Sequence, residues 1–211
     1  MRENKRGALI AFEGIDGSGK GTQIELLKKY MKEEGIPYFG TLEPNDSPTG
    51  SLIHQIMIGR VQTTNDVIAA LFVADRLDHI QNPVNGILKF VNQGVNVITD
   101  RFYFSSYAYQ SVDVPMDWII EANSLCTKLI RPDLTVFIDV DPEVTMKRIE
   151  KGRRTRELFE ETGRLVETRK RYFEAFDRLK DEEHIIVIDG ARSPEEVQAD
   201  VCDAVLPLLT R

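Results

Sequence analysis

Cysteine is scarce in this chain: Cys126 and Cys202 are the only two among 211 residues, far apart and in no C-x-x-C arrangement. That excludes a disulfide framework and a thiolate zinc site, and both are expected to be ordinary buried thiols. The three histidines, His54, His79 and His184, are equally scattered and lack metal-ligand spacing. No apolar run approaches the roughly 20 residues of a membrane span, and the opening "MRENKRGALIAFEG" holds too short an apolar stretch for a targeting segment. A cytoplasmic protein that does not engage membranes is therefore expected. Positive charge is also in deficit, 27 Lys+Arg against 34 Asp+Glu for a formal charge of −7. This is the wrong sign for gripping a nucleic-acid backbone, so no nucleic-acid partner is expected, and any bound anion must meet a local positive cluster. There is no internal repeat and no low-complexity linker, and the length suits one domain over 1–211.

What is present is a regular alternation. Short runs rich in Val, Ile and Phe, "ALIAFEG" (8–14), "YFGTLE" (38–43), "NVITD" (96–100), "LTVFIDV" (134–140) and "HIIVIDG" (184–190), are separated by helical patterns. This predicts an α/β fold, a five-stranded parallel sheet with helices on both faces. A helix is expected from Thr22 to about Glu34, ended by Gly35 and Pro37. Another begins near Asn65, with Pro83 kinking or dividing it before Gly94. The charged excursion "KGRRTRELFEETGRL" leads into a helix through about Lys180.

Between the first strand and the first helix stands "FEGIDGSGKGTQ", Phe12 to Gln23, with the G-x-x-x-x-G-K spacing of a phosphate-binding loop. Its expected ligand is a nucleotide. The backbone N–H groups of Gly17, Ser18, Gly19 and Lys20 are placed to point at phosphate oxygens, helped by the helix N-terminus, with Gly14, Ile15, Asp16, Gly21 and Thr22 completing the loop. Lys20 would bridge the β- and γ-phosphates. Gly21 stands where the pattern has a hydroxyl for magnesium, and Thr22 lies about 100° further round the helix. Mg2+ keeps several of its waters, so carboxylates can hold it through them while phosphate oxygens bind it directly. Asp16 in the loop and Asp100 at the end of "VNVITD" are the candidates.

Other residues admit two readings from spacing alone. Phe72 and Arg76, four apart, share a helix face. They suit either a base-stacking pocket, or a core phenylalanine beside a surface ion pair with Asp75 or a neighbour. Ser105, Ser106, Tyr109 and Gln110 form either a polar pocket wall or a capped, half-buried helix start. Asp100-Arg101 ends an apolar run at the carboxyl edge of the sheet, where ligands of such folds collect. Arg153, Arg154 and Arg156 are either a solvated face or a source of cations for phosphoryl transfer.

"FEGIDGSGKGTQ", "LFVADR" (71–76), "DRFYFSSYAYQ" (100–110) and "RPDLTVFIDVDPEVTMKRI" (131–149) resemble, in order and spacing, the motifs of thymidylate kinases, from Ala8 to about Leu209. The G-K-G-T ending is instead similar to that of adenylate kinases. The resemblance implies a P-loop nucleoside monophosphate kinase that transfers the γ-phosphoryl of ATP to dTMP, as a homodimer paired through helices, with the apolar stretch from Val67 to Leu77 available for pairing. It implies that Phe72 stacks on thymine and Arg76 reaches its O4. Ser105, Ser106 and Gln110 would then lie near the base edge, and Tyr109 under the deoxyribose, where a 2′-OH would collide. Glu43 and Pro44 would belong to the same acceptor site. It further implies that Arg101 holds the acceptor phosphate, Asp100 orients metal water or the attacking phosphate, and Arg148 stacks on adenine, with Ala191 and Arg192 touching that base. Because the loop Asp16-Gly17-Ser18 has no basic residue, a lid over about 151–163 would supply Arg153, Arg154 and Arg156. Two family positions depart: R-E-P is "LEP" here, and a later arginine is His54, so two positive charges near the acceptor side are missing, for which Arg60 or the lid could compensate. The competing readings are a kinase of another nucleoside monophosphate, dUMP or AMP, and a nucleotide-dependent switch. "TKLI" (127–130) lacks the Asp that guanine switches carry in [NT]-K-x-D.

Overall fold

A computed structural model of the chain describes residues 6–152 and 162–209. The strands are β1 (Leu9–Glu13), β2 (Tyr38–Leu42), β3 (Asn96–Asp100), β4 (Leu134–Asp139) and β5 (Ile185–Asp189). Helices fill the intervals: α1 (Lys20–Glu33), α2 (Pro48–Met57), α3 (Asn65–Gln81), α4 (Ile87–Asn92), α5 (Tyr103–Tyr109), α6 (Met116–Ala122), α7 (Ser124–Leu129), α8 (Pro142–Gly152), α9 (Thr162–Leu179) and α10 (Pro194–Val205). The strands pair in parallel in the order β2-β3-β1-β4-β5, as the alternation predicts.

Alternation along β1 divides the core. Leu9 and Ala11 face one cluster, with Val97, Phe137, Tyr103 and Tyr172. Ile10 and Phe12 face the other, with Ile98, Val136, Ile138 and the α1 residues Ile24 and Leu27. Successive side chains of a strand point to opposite faces, so a strand buried on both sides reads as an unbroken apolar run. The chain runs to one side of β1 first, through β2 and β3, and later to the other, through β4 and β5. β1 therefore stands at the switch point, and the crevice above its carboxyl end lies between the β3 and β4 loops.

Several boundaries differ from the sequence expectation. α1 begins at Lys20 rather than Thr22, because the loop itself forms the first turn: Gln23 N–H donates to the Gly19 carbonyl at 3.2 Å. The interval before Gly94 holds two helices, α3 ending at Gln81 and α4 starting at Ile87, with Pro83 between them. Cys126 is buried, whereas Cys202 is only half-buried on α10.

Candidate active site

The loop after β1 takes its shape from glycines. Gly17 has φ +77°, and a Cβ there would lie 2.8 Å from the Thr145 carbonyl of α8, so no other residue fits without displacing that backbone. Lys20 is buried beneath the loop and donates from Nζ to the carbonyls of Gly14 (2.9 Å) and Ile15 (3.3 Å). The third ammonium proton is left for a phosphate. Burial and the nearby Arg101 hold the Lys20 pKa below its ordinary value, against the pull of Asp100, Asp16 and Glu13.

Arg101 has the left-handed φ of +71°, the only non-glycine among the described residues to do so. That turn sends its side chain back over the loop. Nη2 donates to Asp16 Oδ1 at 2.5 Å and to Tyr109 Oη at 3.3 Å, Nη1 to Ser105 Oγ at 3.0 Å, and the guanidinium lies 4.8 Å from the centre of the Tyr109 ring. Tyr109 Oη donates in turn to Asp16 Oδ2 at 3.0 Å. Burial pushes the Asp16 carboxyl up, but Arg101 and Lys20 outweigh it and hold the pKa below the ordinary value. Both Asp16 oxygens are thus engaged by protein donors. Asp100, on the contrary, keeps Oδ1 buried with no hydrogen-bond partner at the end of β3. A buried acceptor without a donor is what a hydrated magnesium ion would satisfy, so of the two carboxylates expected to hold the metal, Asp100 fits it as it stands. Among the described residues no three acidic, histidine or cysteine side chains cluster into a metal cage.

A cavity beside the loop is lined by Asp16, Glu43, Pro44, His54, Met57, Phe72, Arg76, Arg101, Ser105, Ser106, Tyr109 and Gln110. Every residue expected at the acceptor site lines it. Arg76 is only 1 % exposed, so the surface-pair reading fails, and Asp75 instead accepts from Ser47 Oγ and the Asn45 N–H. Arg76 donates from Nε to Glu43 Oε2 (2.9 Å), from Nη2 to the Phe102 carbonyl (3.2 Å) and from Nη1 to Asn123 Oδ1 (2.6 Å), and Nη2 also forms an ion pair with Glu43 Oε2 at 2.6 Å. Of the five guanidinium protons one, on Nη1, is left for a ligand. Ser106 Oγ and Gln110 Oε1 are buried without partners, two polar atoms ready for a base edge. Ser105 is otherwise employed, bonded to Arg101 and to Glu13.

On the other side of the loop a cleft is lined by Ser18, Gly19, Thr22, Gln23, Ile138, Arg148, Gly190, Arg192, Pro194 and Val197. Arg148 reaches it from α8, donating to the Ser18 (3.3 Å) and Gly190 (3.2 Å) carbonyls. Arg192 is turned onto Asp200, and the Ala191 N–H is already given to Asp189 Oδ1 at 2.9 Å, so Ala191 is not in the wall. Gly21 and Thr22 are exposed at the start of α1. Arg153, Arg154 and Arg156 lie outside the described residues.

The sequence reading missed Glu13, Tyr172, Asn123 and Gln23. Glu13, with no solvent exposure at all, is pushed up in pKa by burial, against hydrogen bonds from Ser105 and the charge of Arg101. The one available signal was an acidic residue closing an apolar strand next to the loop. Asn123 orients Arg76, and Gln23 donates to the Pro194 carbonyl at 3.1 Å beside the second cleft.

The thymidylate kinase family model matches residues 12–201. The chain belongs to the thymidylate kinase family. Among its relatives, the thymidylate kinase of Symbiobacterium thermophilum is 35% identical over 96% of this chain and 94% of that protein. That of Carboxydothermus hydrogenoformans is 34% identical over 91% and 93%. A probable thymidylate kinase of Methanocaldococcus jannaschii is 37% identical over 91% and 92%.

Proposed function

We propose that the chain transfers the γ-phosphoryl group of ATP to dTMP, giving dTDP and ADP. The observation that carries this reading is the acceptor cavity, where one Arg76 proton, Ser106 Oγ and Gln110 Oε1 remain uncommitted beside Phe72, one loop away from Lys20. Those atoms suit a pyrimidine that offers a carbonyl to Arg76 while stacking on Phe72. Tyr109, fixed by Asp16 and Arg101, leaves a 2′-deoxy sugar to pass over its ring.

ATP is taken in the second cleft, with its base against Arg148 and its phosphates in the loop of Gly14 to Thr22. Arg101 holds the dTMP phosphate, one oxygen of which attacks the γ-phosphorus in line, with ADP leaving on the far side. No covalent intermediate is required, since such transfers proceed by positioning and charge stabilisation. Lys20 and the arginines of 151–163, Arg153, Arg154 and Arg156, neutralise the equatorial oxygens. Mg2+, held by phosphates and through water by Asp100, supplies further charge neutralisation when bound. Asp16 serves this site by fixing Arg101 and Tyr109.

Pairing of two copies through the α3 face, where Val67 is 43% exposed, belongs to the same proposal, and sedimentation of the purified chain tests it. So does a cytoplasmic setting, where both charged substrates are found. Among the described residues no helix is long and apolar enough to cross a membrane. The deciding experiment is ADP release over a panel of nucleoside monophosphates. Turnover with dTMP should exceed that with dUMP or AMP by at least about tenfold, as one missing methyl or one unpaired polar group costs about 1–3 kcal/mol. Equal turnover with AMP would sink the assignment.

A further inference from the structure

Glu13, the last residue of β1, has all four acceptor positions of its carboxylate engaged. Oε1 accepts the backbone N–H groups of Phe102 (2.8 Å) and Ser105 (3.1 Å), and Oε2 accepts Ser105 Oγ (2.6 Å) and Tyr172 Oη (2.9 Å). The same Ser105 Oγ receives Arg101 Nη1 at 3.0 Å. A serine hydroxyl has one proton and two lone pairs, so its direction depends on which neighbour takes the proton. Glu13 takes it, and a lone pair is left facing the guanidinium.

We infer that Glu13 is a positioning residue for Arg101: by orienting Ser105, and braced by Tyr172 from α9, it sets how firmly the phosphate of the acceptor nucleotide is gripped. The inference rests on the proposed reading of Arg101 as the holder of that phosphate. The Nη2 edge of Arg101 is fixed separately by Asp16 and Tyr109, whereas the Nη1 edge meets only Ser105 and, at 3.4 Å, the Gly14 carbonyl. Ser105, itself 2.9 Å from Tyr172 Oη, is therefore the nearer of the two acceptors on that edge of the guanidinium. Tyr172 lies on the helix that follows residues 153–161, so that helix and the acceptor grip share one buried carboxylate.

Thymidine and dTMP differ only in the phosphate, which makes their ratio the readout. Glu13→Gln keeps the volume, and its carbonyl oxygen must stay on the two backbone N–H groups because an amide NH2 there would face two donors. The NH2 then stands where Oε2 was and meets the Ser105 and Tyr172 hydroxyls as a donor. Binding of dTMP, by calorimetry, should weaken about tenfold, the effect of one charge-assisted hydrogen bond, while thymidine and ATP stay within about twofold. Tyr172→Phe removes one of the two hydroxyl donors and should weaken dTMP alone, by about threefold. Equal weakening of dTMP and thymidine would mark Glu13 as merely structural, and no change in either would show a carboxyl that does not steer Arg101; both overturn the inference. Arg101→Gln in the same assay separates the two levels. If it leaves the dTMP-to-thymidine ratio unchanged, the reading of Arg101 fails and takes this one with it. If it collapses the ratio while Glu13→Gln does not, only the positioning role fails.

Discussion

Arg76 carries a full charge at 1 % exposure, and that is tolerable because it pairs with Glu43 and donates hydrogen bonds to Glu43, Asn123 and the Phe102 carbonyl. Truncation has two separable consequences. Arg76→Ala takes the guanidinium from buried Glu43 and leaves it only His79, whose Nδ1 lies 3.1 Å from Oε1, which should cost about 3 kcal/mol of stability, read as a shift in the urea midpoint. Arg76→Lys keeps the charge but not the fork. Its efficiency with dTMP should fall at least about tenfold with little change in the KM for ATP, because a point charge cannot serve Glu43, Asn123 and the ligand together. A lysine variant with normal efficiency would remove Arg76 from base recognition. Gly21 shows the opposite situation. Nothing lies within 4 Å of a Cβ there, so Gly21→Ser should fold at least as stably, with up to about 1 kcal/mol gained from helix propensity, and shift the magnesium requirement only modestly. Asp100→Asn should raise that requirement severalfold, since it neutralises the carboxylate with the unpartnered Oδ1. Activity titrated against magnesium for both variants decides, and a strong response to Gly21→Ser with none to Asp100→Asn would place the metal elsewhere.

At the scale of elements, the phosphate loop is shaped by a helix more than a hundred residues away in sequence. The Thr145 carbonyl and Ile149 of α8 pack on Gly17, and Arg148 of the same helix ties the Ser18 and Gly190 carbonyls together. Gly17→Ala meets both a positive φ and that carbonyl, so about 1–3 kcal/mol of strain should appear, and the loop should relieve it by moving off its phosphate-binding shape. ATP binding should weaken at least about tenfold while thymidine still binds; an alanine variant with normal ATP affinity would show the loop to be indifferent to α8. The central strands β1, β3 and β4 were legible because each is a short run buried almost throughout, and β3 occupies the whole of "NVITD". The helix α2 was not, since its start depends on a cap, Ser47 Oγ accepting the Gly50 N–H at 3.0 Å before Pro48, rather than on apolar periodicity. The polar wall of the first cavity was legible where residues cluster locally, as from Ser105 to Gln110. Glu13 and Asn123 were not, because their meaning lies in partners such as Tyr172, 159 positions from Glu13, which no local pattern encodes.

For the molecule as a whole, charge balance is the open constraint. The chain has a formal charge of −7 and must bring together two phosphorylated substrates. Of the four arginines that line the two clefts, three already have carboxylate partners: Arg76 with Glu43, Arg101 with Asp16 and Arg192 with Asp200. Lys20 and Arg148 bond to carbonyls instead, and among the described residues no acid stands within ion-pair distance of either. Two such cations do not match the negative charge that spreads over the transferring phosphoryl group, and a water-excluding site makes the shortfall costly. The arginines at 153, 154 and 156 stand in sequence between α8, which supplies Arg148 to the donor cleft, and α9, which supplies Tyr172 to Glu13. They are the remaining source of positive charge joined at both ends to the site. Replacing Arg153, Arg154 and Arg156 together with Gln should therefore lower kcat by about 10³-fold, as loss of an arginine finger does, while the dissociation constant for ATP changes far less. Single-turnover rates at saturating ATP and dTMP, set beside equilibrium ATP binding, measure the two separately. A triple variant that keeps near-normal kcat would mean these charges face solvent, and that Lys20, Arg101 and the metal suffice for the transition state.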